Sequence, residues 1–206
     1  MHFSRELRIE FERLQPLIIA RLQDFANVKP EEYFYELCFC ICTPQSKAEH
    51  ADAVAKLLQA QNFYGTGFDP TPLLRDKTHY IRFHNTKAMR LLRVRQQWPE
   101  IASLLVSGTS SEEKRDWLAE NVDGFGYKEA AHFLRNIGYR NLPILDRHIL
   151  KHLVACGVFN ELPMISTKAR YMAAGEAFKT FGQHVGISMD ELDLFFWALE
   201  AGLILK

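Results

Sequence analysis

Two glycines flank a phenylalanine in Gly124-Phe125-Gly126-Tyr127-Lys128, between two helical patterns, and they constrain this fold more than any other part of the chain. Upstream, Ser110-x-x-Glu113 reads as a capping box, in which the two side chains satisfy each other's backbone N–H groups at a helix start. That helix ends near Asn121, and a second runs from about Tyr127 to a stop at Gly138. Glycine tolerates positive φ and leaves the backbone open to close approach. The stretch from about 111 to 138 is therefore expected to be a helix-hairpin-helix. Gly124 and Gly126 allow positive φ in this reading, and their missing side chains let a phosphate approach the N–H groups. A C-cap followed by an ordinary turn is the plain alternative.

The rest of the chain reads as helix as well. Helices are expected over Arg5–Phe25, Pro30–Ile41, Ser46–Gln59, Asn85–Gln97 and Pro99–Val106. Asp146 caps a further helix closed by Gly157, and Ser166 caps one ending near Gly182. Ser188-x-x-Glu191 is a second capping box, leading into a last helix to Gly202. No period-two strand, internal repeat or long flexible linker interrupts the pattern, so the fold class is all-α.

With 206 residues the chain can bury a real core, as one domain or two small interleaved ones. No apolar run approaches the roughly 20 residues that cross a bilayer. The start, Met1-His2-Phe3-Ser4-Arg5-Glu6, has no signal-peptide core, so a cytoplasmic protein with no membrane partner is expected. Cys38, Cys40 and Cys42 alternate in an apolar stretch far from Cys156, which fits buried thiols in a reducing compartment better than a metal or disulfide framework. No His-x-x-x-His pair has a third ligand nearby in sequence, so no catalytic metal is expected.

Formal charge is balanced, 25 basic residues against 25 acidic, which disfavours indiscriminate coating of nucleic acid. Its distribution is uneven. Arg75, Lys77, Arg82, Lys87, Arg90, Arg93 and Arg95 face Asp76 alone in their segment, with Tyr80 and Phe83 interleaved. A solvated helix face accounts for most such runs; the interleaved aromatics favour a surface for DNA.

Lys128 lies just inside the hairpin's second helix, where unsatisfied N–H groups and the helix dipole disfavour an ammonium. An amine there can act as a nucleophile. Eighteen residues later, Asp146 would cap its helix with a fixed carboxylate that can also steady positive charge.

Val122-Asp123-Gly124-Phe125-Gly126-Tyr127-Lys128-Glu129-Ala130 followed by Leu145-Asp146-Arg147-His148 resembles the signature of the helix-hairpin-helix DNA glycosylase superfamily. With Cys42-Thr43-Pro44-Gln45-Ser46-Lys47-Ala48, Ile81-Arg82-Phe83-His84-Asn85-Thr86-Lys87-Ala88 and an ending at Lys206, the whole chain resembles archaeal-type (type 2) 8-oxoguanine DNA glycosylase/lyases. Asp123 departs from the wider pattern, where proline is common. The resemblance implies a helical barrel over 28–139 and a second bundle from 1–27 with 140–206, the active site lying in the cleft between them. It implies base excision through a Schiff base on Lys128, assisted by Asp146, then strand cleavage by β-elimination, with no cofactor. It also implies double-stranded DNA containing 8-oxoguanine or abasic sites as the partner, and a monomer as the working state.

Two alternatives stand beside this reading: a monofunctional glycosylase for another damaged base, and a non-catalytic DNA-binding module. Base recognition needs stacking faces, for which Phe83 and Trp197 are candidates, and an acceptor for the N7–H of 8-oxoguanine, for which the carboxylate at Lys206 is the candidate. For the aromatics, core packing is the ordinary alternative; for Lys206 it is a frayed end. His148 is a candidate phosphate ligand, and Gln45 a candidate for filling the space of an extruded base. The resemblance further implies a structural ion on the backbone carbonyls of Glu120, Val122 and Phe125.

Overall fold

The computed structural model describes residues 1–202 and 204, and among them every regular element is helical. Helix α1 (Arg5–Ala26) starts where the Ser4 hydroxyl accepts the Leu7 N–H at 3.2 Å. A 3-10 turn (Pro30–Glu32) leads into α2 (Tyr33–Cys42), and α3 (Ala48–Ala60) follows. Next come α4 (Phe63–Thr66), α5 (Thr71–Arg75) and a second 3-10 turn (Lys77–His79), all too short to set up a periodic signal. The chain continues through α6 (His84–Val106), α7 (Ser111–Asn121) and α8 (Tyr127–Asn136). It closes with α9 (Arg147–Ala155), α10 (Lys168–Val185) and α11 (Met189–Ala201). No helix among the described residues is long and apolar enough to cross a membrane.

Contacts divide the chain into two compact units, Val28–Phe133 and Met1–Asn27 with Leu134–Lys206. In the first, α2 is the centre: Phe34, Leu37, Cys38, Phe39, Cys40, Ile41 and Cys42 are all buried as it packs on α3 and α6. In the second, α11 packs against α1, α9 and α10, with Phe195 set edge-on to Phe11 at 5.4 Å. By contacts, the division falls inside α8. The last turn of α8 already belongs to the second unit, because buried Arg135 lies over the Phe25 ring and pairs with Asp193 at 3.7 Å.

Several helix boundaries differ from the expectation. The break at Pro99 is absent, and α6 runs through it. Leu91, Val94, Ile101 and Leu105 are buried and Trp98 meets Phe34 edge-on, so one apolar stripe crosses the proline at three- and four-residue steps. Its burial outweighs the roughly 3 kcal/mol an interior proline costs. α10 is capped by Thr167, whose hydroxyl accepts the Arg170 N–H, and not by Ser166. It also continues past Gly182 to a Schellman turn in which Ile187 N–H reaches the Gly182 carbonyl and Gly186 takes φ 69°. Gly182 has a packing role instead, since a Cβ there would lie 2.8 Å from the Ile187 carbonyl oxygen.

Candidate active site

Within the first unit, the hairpin between α7 and α8 is tied to α6. Arg93 hydrogen-bonds to the Asp123 carboxylate, and Arg90 Nε lies 3.4 Å from its other oxygen. Asp123 thus gives the hairpin a charged tie to α6. Exposed pairs of this kind contribute about 0–1 kcal/mol each, so the tie orients the loop more than it stabilises the fold. Gly124 takes φ 89°, and a Cβ there would meet the Arg90 guanidinium at 2.6 Å. A side chain at 124 would therefore force the arginine out. Of the two glycines, Gly126 does not use the freedom to take positive φ. Its N–H instead donates to Glu129 Oε2 at 3.2 Å, as the third helical residue of a capping box would accept.

Lys128 is the second residue of α8, a quarter exposed, with Nζ 3.5 Å from Glu129 Oε1. Glu129 therefore holds the hairpin amide with one oxygen and stands beside the lysine with the other. The signal for Glu129 in the sequence is the spacing of Gly126-x-x-Glu129, which is that of a cap. In the loop, the Val122 carbonyl accepts the Phe125 N–H at 3.0 Å, which leaves that oxygen one lone pair for an ion. No group of three or more His, Cys, Asp or Glu side chains among the described residues is arranged to hold a metal.

The basic segment does not present all its cations to solvent. Lys87 is only 2% exposed and donates to the carbonyls of Cys42 and Pro44. Burial pulls it down from 10.5 to about 8, while the neighbouring Cys42 thiol is itself pushed up to about 12 by burial. Arg95 donates to the carbonyls of Tyr64 and Gly65. Arg75, Lys77 and Arg82 are exposed. So is Phe83, half-exposed at the start of α6, with the Arg82 guanidinium 5.0 Å over its ring. Gln45 is exposed in the loop between α2 and α3.

In the second unit, Asp146 caps α9 through one oxygen. Oδ1 accepts both His148 N–H at 2.8 Å and Ile149 N–H at 2.9 Å. Among the described residues Oδ2 has no hydrogen-bond partner, so the same carboxylate can cap its helix and still offer an oxygen to a reacting group. His148 is engaged: its Nδ1 lies 3.0 Å from Glu200 Oε2. Glu200 also meets His152 Nε2 at 3.1 Å, and that ring stacks flat on Phe196. Burial holds His152 below the usual histidine value, against the opposing pull of Glu200. Folding thus brings a carboxylate to the pair His148 and His152, which sequence spacing could not do. Trp197 is half-buried on α11, and Lys206 lies outside the described residues.

The model of the 8-oxoguanine DNA glycosylase family with the helix-hairpin-helix matches residues 18–187. A Fusobacterium nucleatum protein named 8-oxoguanine DNA glycosylase/AP lyase is 36% identical over 99% of this chain and 98% of its own. A Methanocaldococcus jannaschii protein of the same name is 34% identical over 94% of this chain and 93% of its own. A solved structure of the M. jannaschii 8-oxoguanine glycosylase/lyase, in complex with 15mer DNA containing 8-oxoguanine, superposes with a TM-score of 0.85 at 31% identity, covering 98% of this chain and all of that one. The 8-oxoguanine DNA glycosylase of Thermotoga maritima gives 0.84 at 29% identity, covering 98% of this chain and 99% of that one.

Proposed function

Because the chain belongs to the 8-oxoguanine DNA glycosylase family, we propose that it removes 8-oxoguanine from double-stranded DNA and then cleaves the strand, as a base-excision repair enzyme. In this reading the Lys128 amine attacks C1′ of the lesion nucleotide, and the base leaves with the glycosidic electron pair and the proton that the attacking nitrogen gives up. The sugar ring opens as the lysine nitrogen forms a Schiff base with C1′. Loss of a C2′ proton then expels the 3′ phosphate, and water frees the lysine. Positive charge develops on the sugar throughout the first step, and the Asp146 carboxylate offsets it.

The observation that carries the reading is the division of labour on Asp146. One oxygen accepts two helix N–H groups at 2.8 and 2.9 Å, which fixes the other as a free acceptor one element after the lysine. Lys128 belongs to one compact unit and Asp146 to the other, so their joint action on one nucleotide is part of the proposal. Phe83 and Trp197 supply aromatic faces for the extruded purine, and Lys206 the acceptor for its N7–H. Gln45 fills the vacated stack. Gly124 and Gly126 let the hairpin approach the backbone, and His148 contacts a phosphate after leaving Glu200. Carbonyls of Glu120, Val122 and Phe125 would hold a structural ion that offsets phosphate charge at the hairpin. The enzyme works as a monomer in the cytoplasm, on lesion-containing and abasic duplexes.

Incubation with a duplex carrying one 8-oxoguanine, split into samples with and without hot alkali, tests the proposal. Strand cleavage without alkali is expected. Cleavage only after alkali would identify a monofunctional glycosylase, and binding without cleavage a DNA-binding module.

A further inference from the structure

Among the described residues, four exposed non-glycine residues have positive φ; two are asparagines, which adopt it readily, and the other two are not. Gln45 has φ 58° and Phe83 has φ 60°, both left-handed. That conformation is penalised by the contact of Cβ with the carbonyl oxygen, and it persists only where the surroundings enforce it. Neither side chain is buried, so the enforcement comes from the backbone on either side.

On either side that backbone is bonded to one buried ammonium or to a hydroxyl it holds. Lys87 Nζ donates to Cys42 O at 2.7 Å, to Pro44 O at 2.6 Å and to Ser46 Oγ at 3.2 Å. The same Ser46 hydroxyl accepts the Arg82 N–H at 3.0 Å. Lys87 and Ser46 thereby grip the carbonyl before Gln45, the side chain after it and the amide before Phe83. All three ammonium protons are used, and none of the three acceptors is ionised. Cys42 ends α2, so the cation also sits at the negative end of a helix dipole.

A methionine would fill this space without burying a charge, and a buried cation without an anion is costly to the fold. The contacts it makes go to the loops that carry the two strained residues. We infer that Lys87 is a positioning residue which, through Pro44 and Ser46, presents Gln45 and Phe83 together to the DNA during base extrusion. This rests on the reading of the chain as an 8-oxoguanine glycosylase. Extrusion needs a polar group to enter the vacated stack and an aromatic face for the extruded purine. Gln45 and Phe83 are these two chemistries, linked through one hydroxyl.

The test compares two reactions of the full-length enzyme under single-turnover conditions: excision of 8-oxoguanine from intact duplex, and cleavage at a pre-formed abasic site. Lys87→Met keeps the apolar stem and removes the donors. Its melting temperature should equal or exceed that of the wild type, while excision falls about 10- to 100-fold, as misplacement of binding groups by about an ångström does. Abasic cleavage, which extrudes no base, should stay within about twofold by the same reasoning. Adding Gln45→Ala to Lys87→Met should cost little more, since both changes remove one function. Equal losses in the two reactions, or undiminished excision in a folded Lys87→Met, would overturn the inference. Should Lys87→Met not fold, Ser46→Ala decides on the same criterion, because it cuts the tie to Arg82 and leaves the ammonium in place. A wild-type enzyme inactive on 8-oxoguanine DNA would refute the glycosylase reading and this one with it. Active wild type with equally active variants would refute this one alone.

Discussion

Asp146 is asked to do two things, and substitutions can separate them. Its Oδ1 atom accepts the N–H groups of His148 and Ile149, while Oδ2 has no partner among the described residues. Asparagine can keep its carbonyl oxygen at the Oδ1 position and put its amide nitrogen at Oδ2. As an N-cap it equals aspartate to within a few tenths of a kcal/mol, and the lost interaction of the charge with the helix dipole adds about 0.3–1 kcal/mol. Asp146→Asn should therefore lower stability by no more than about 1 kcal/mol, or roughly 2–4 °C in melting temperature for a chain of this length. Asp146→Ala loses both capping bonds and should cost about 1–2 kcal/mol.

Activity should rank differently. Both variants lack the carboxylate, so both should lose base excision by the 10²–10⁴-fold, in order of magnitude, that a positioned acid–base group contributes. The assays are thermal melts and single-turnover excision with enzyme in excess, developed with alkali so that base loss is read independently of strand cleavage. If Asp146→Asn excises 8-oxoguanine at close to the wild-type rate while Asp146→Ala fails only as its stability fails, the residue is a helix cap and the catalytic role is wrong.

Lys87 should make stability rise with pH. Its folded-state value of about 8 lies below the ordinary 10.5, so between them the unfolded chain holds more protons and alkali favours the fold. Relative to Lys87→Met, wild-type stability in urea melts should climb by on the order of 3 kcal/mol from pH 7 to above pH 10; a constant difference would contradict the burial cost. For DNA affinity, Arg75, Lys77 and Arg82 are exposed, whereas Arg90 and Arg93 are engaged by Asp123. Neutralising the first three should flatten the log–log salt dependence of duplex binding by up to about 0.9 per lost phosphate contact, and more than neutralising Arg90 with Arg93. Equal slopes in fluorescence anisotropy would reject that ranking. Deleting Lys206 should impair 8-oxoguanine removal while sparing cleavage at a pre-formed abasic site, since a carboxylate binds N7–H but opposes the bare N7 of guanine. Unchanged excision by the shortened chain would remove Lys206 from base recognition.

What the sequence made legible follows the range of the forces involved. Both capping boxes, Ser110 with Glu113 and Ser188 with Glu191, form as their spacing requires, because their partners are three residues apart. The same locality put Asp146 at the head of its helix and Lys128 in the first turn after the hairpin. At Pro99 the local rule about proline is overridden by an apolar stripe that only the folded core reveals. Gly182 and Gly186 look alike in sequence; one is packed against a carbonyl and the other ends the helix. The charge run from Arg75 to Arg95 was visible as charge. That Lys87 is buried under α2 and that Asp123 engages two of the arginines depends on contacts 30 or more residues apart. The left-handed backbone at Gln45 and Phe83 had no sequence signal at all, since neither is glycine or asparagine.

The central claim is that a Schiff base forms on one particular amine. Borohydride reduction in the presence of 8-oxoguanine duplex, followed by proteolysis and mass spectrometry of the linked peptide, tests it directly. The account predicts a covalent complex whose adduct maps to Lys128, and no such complex from a folded, DNA-binding Lys128→Gln variant. An adduct on another residue, or wild-type trapping yield from Lys128→Gln, would contradict it.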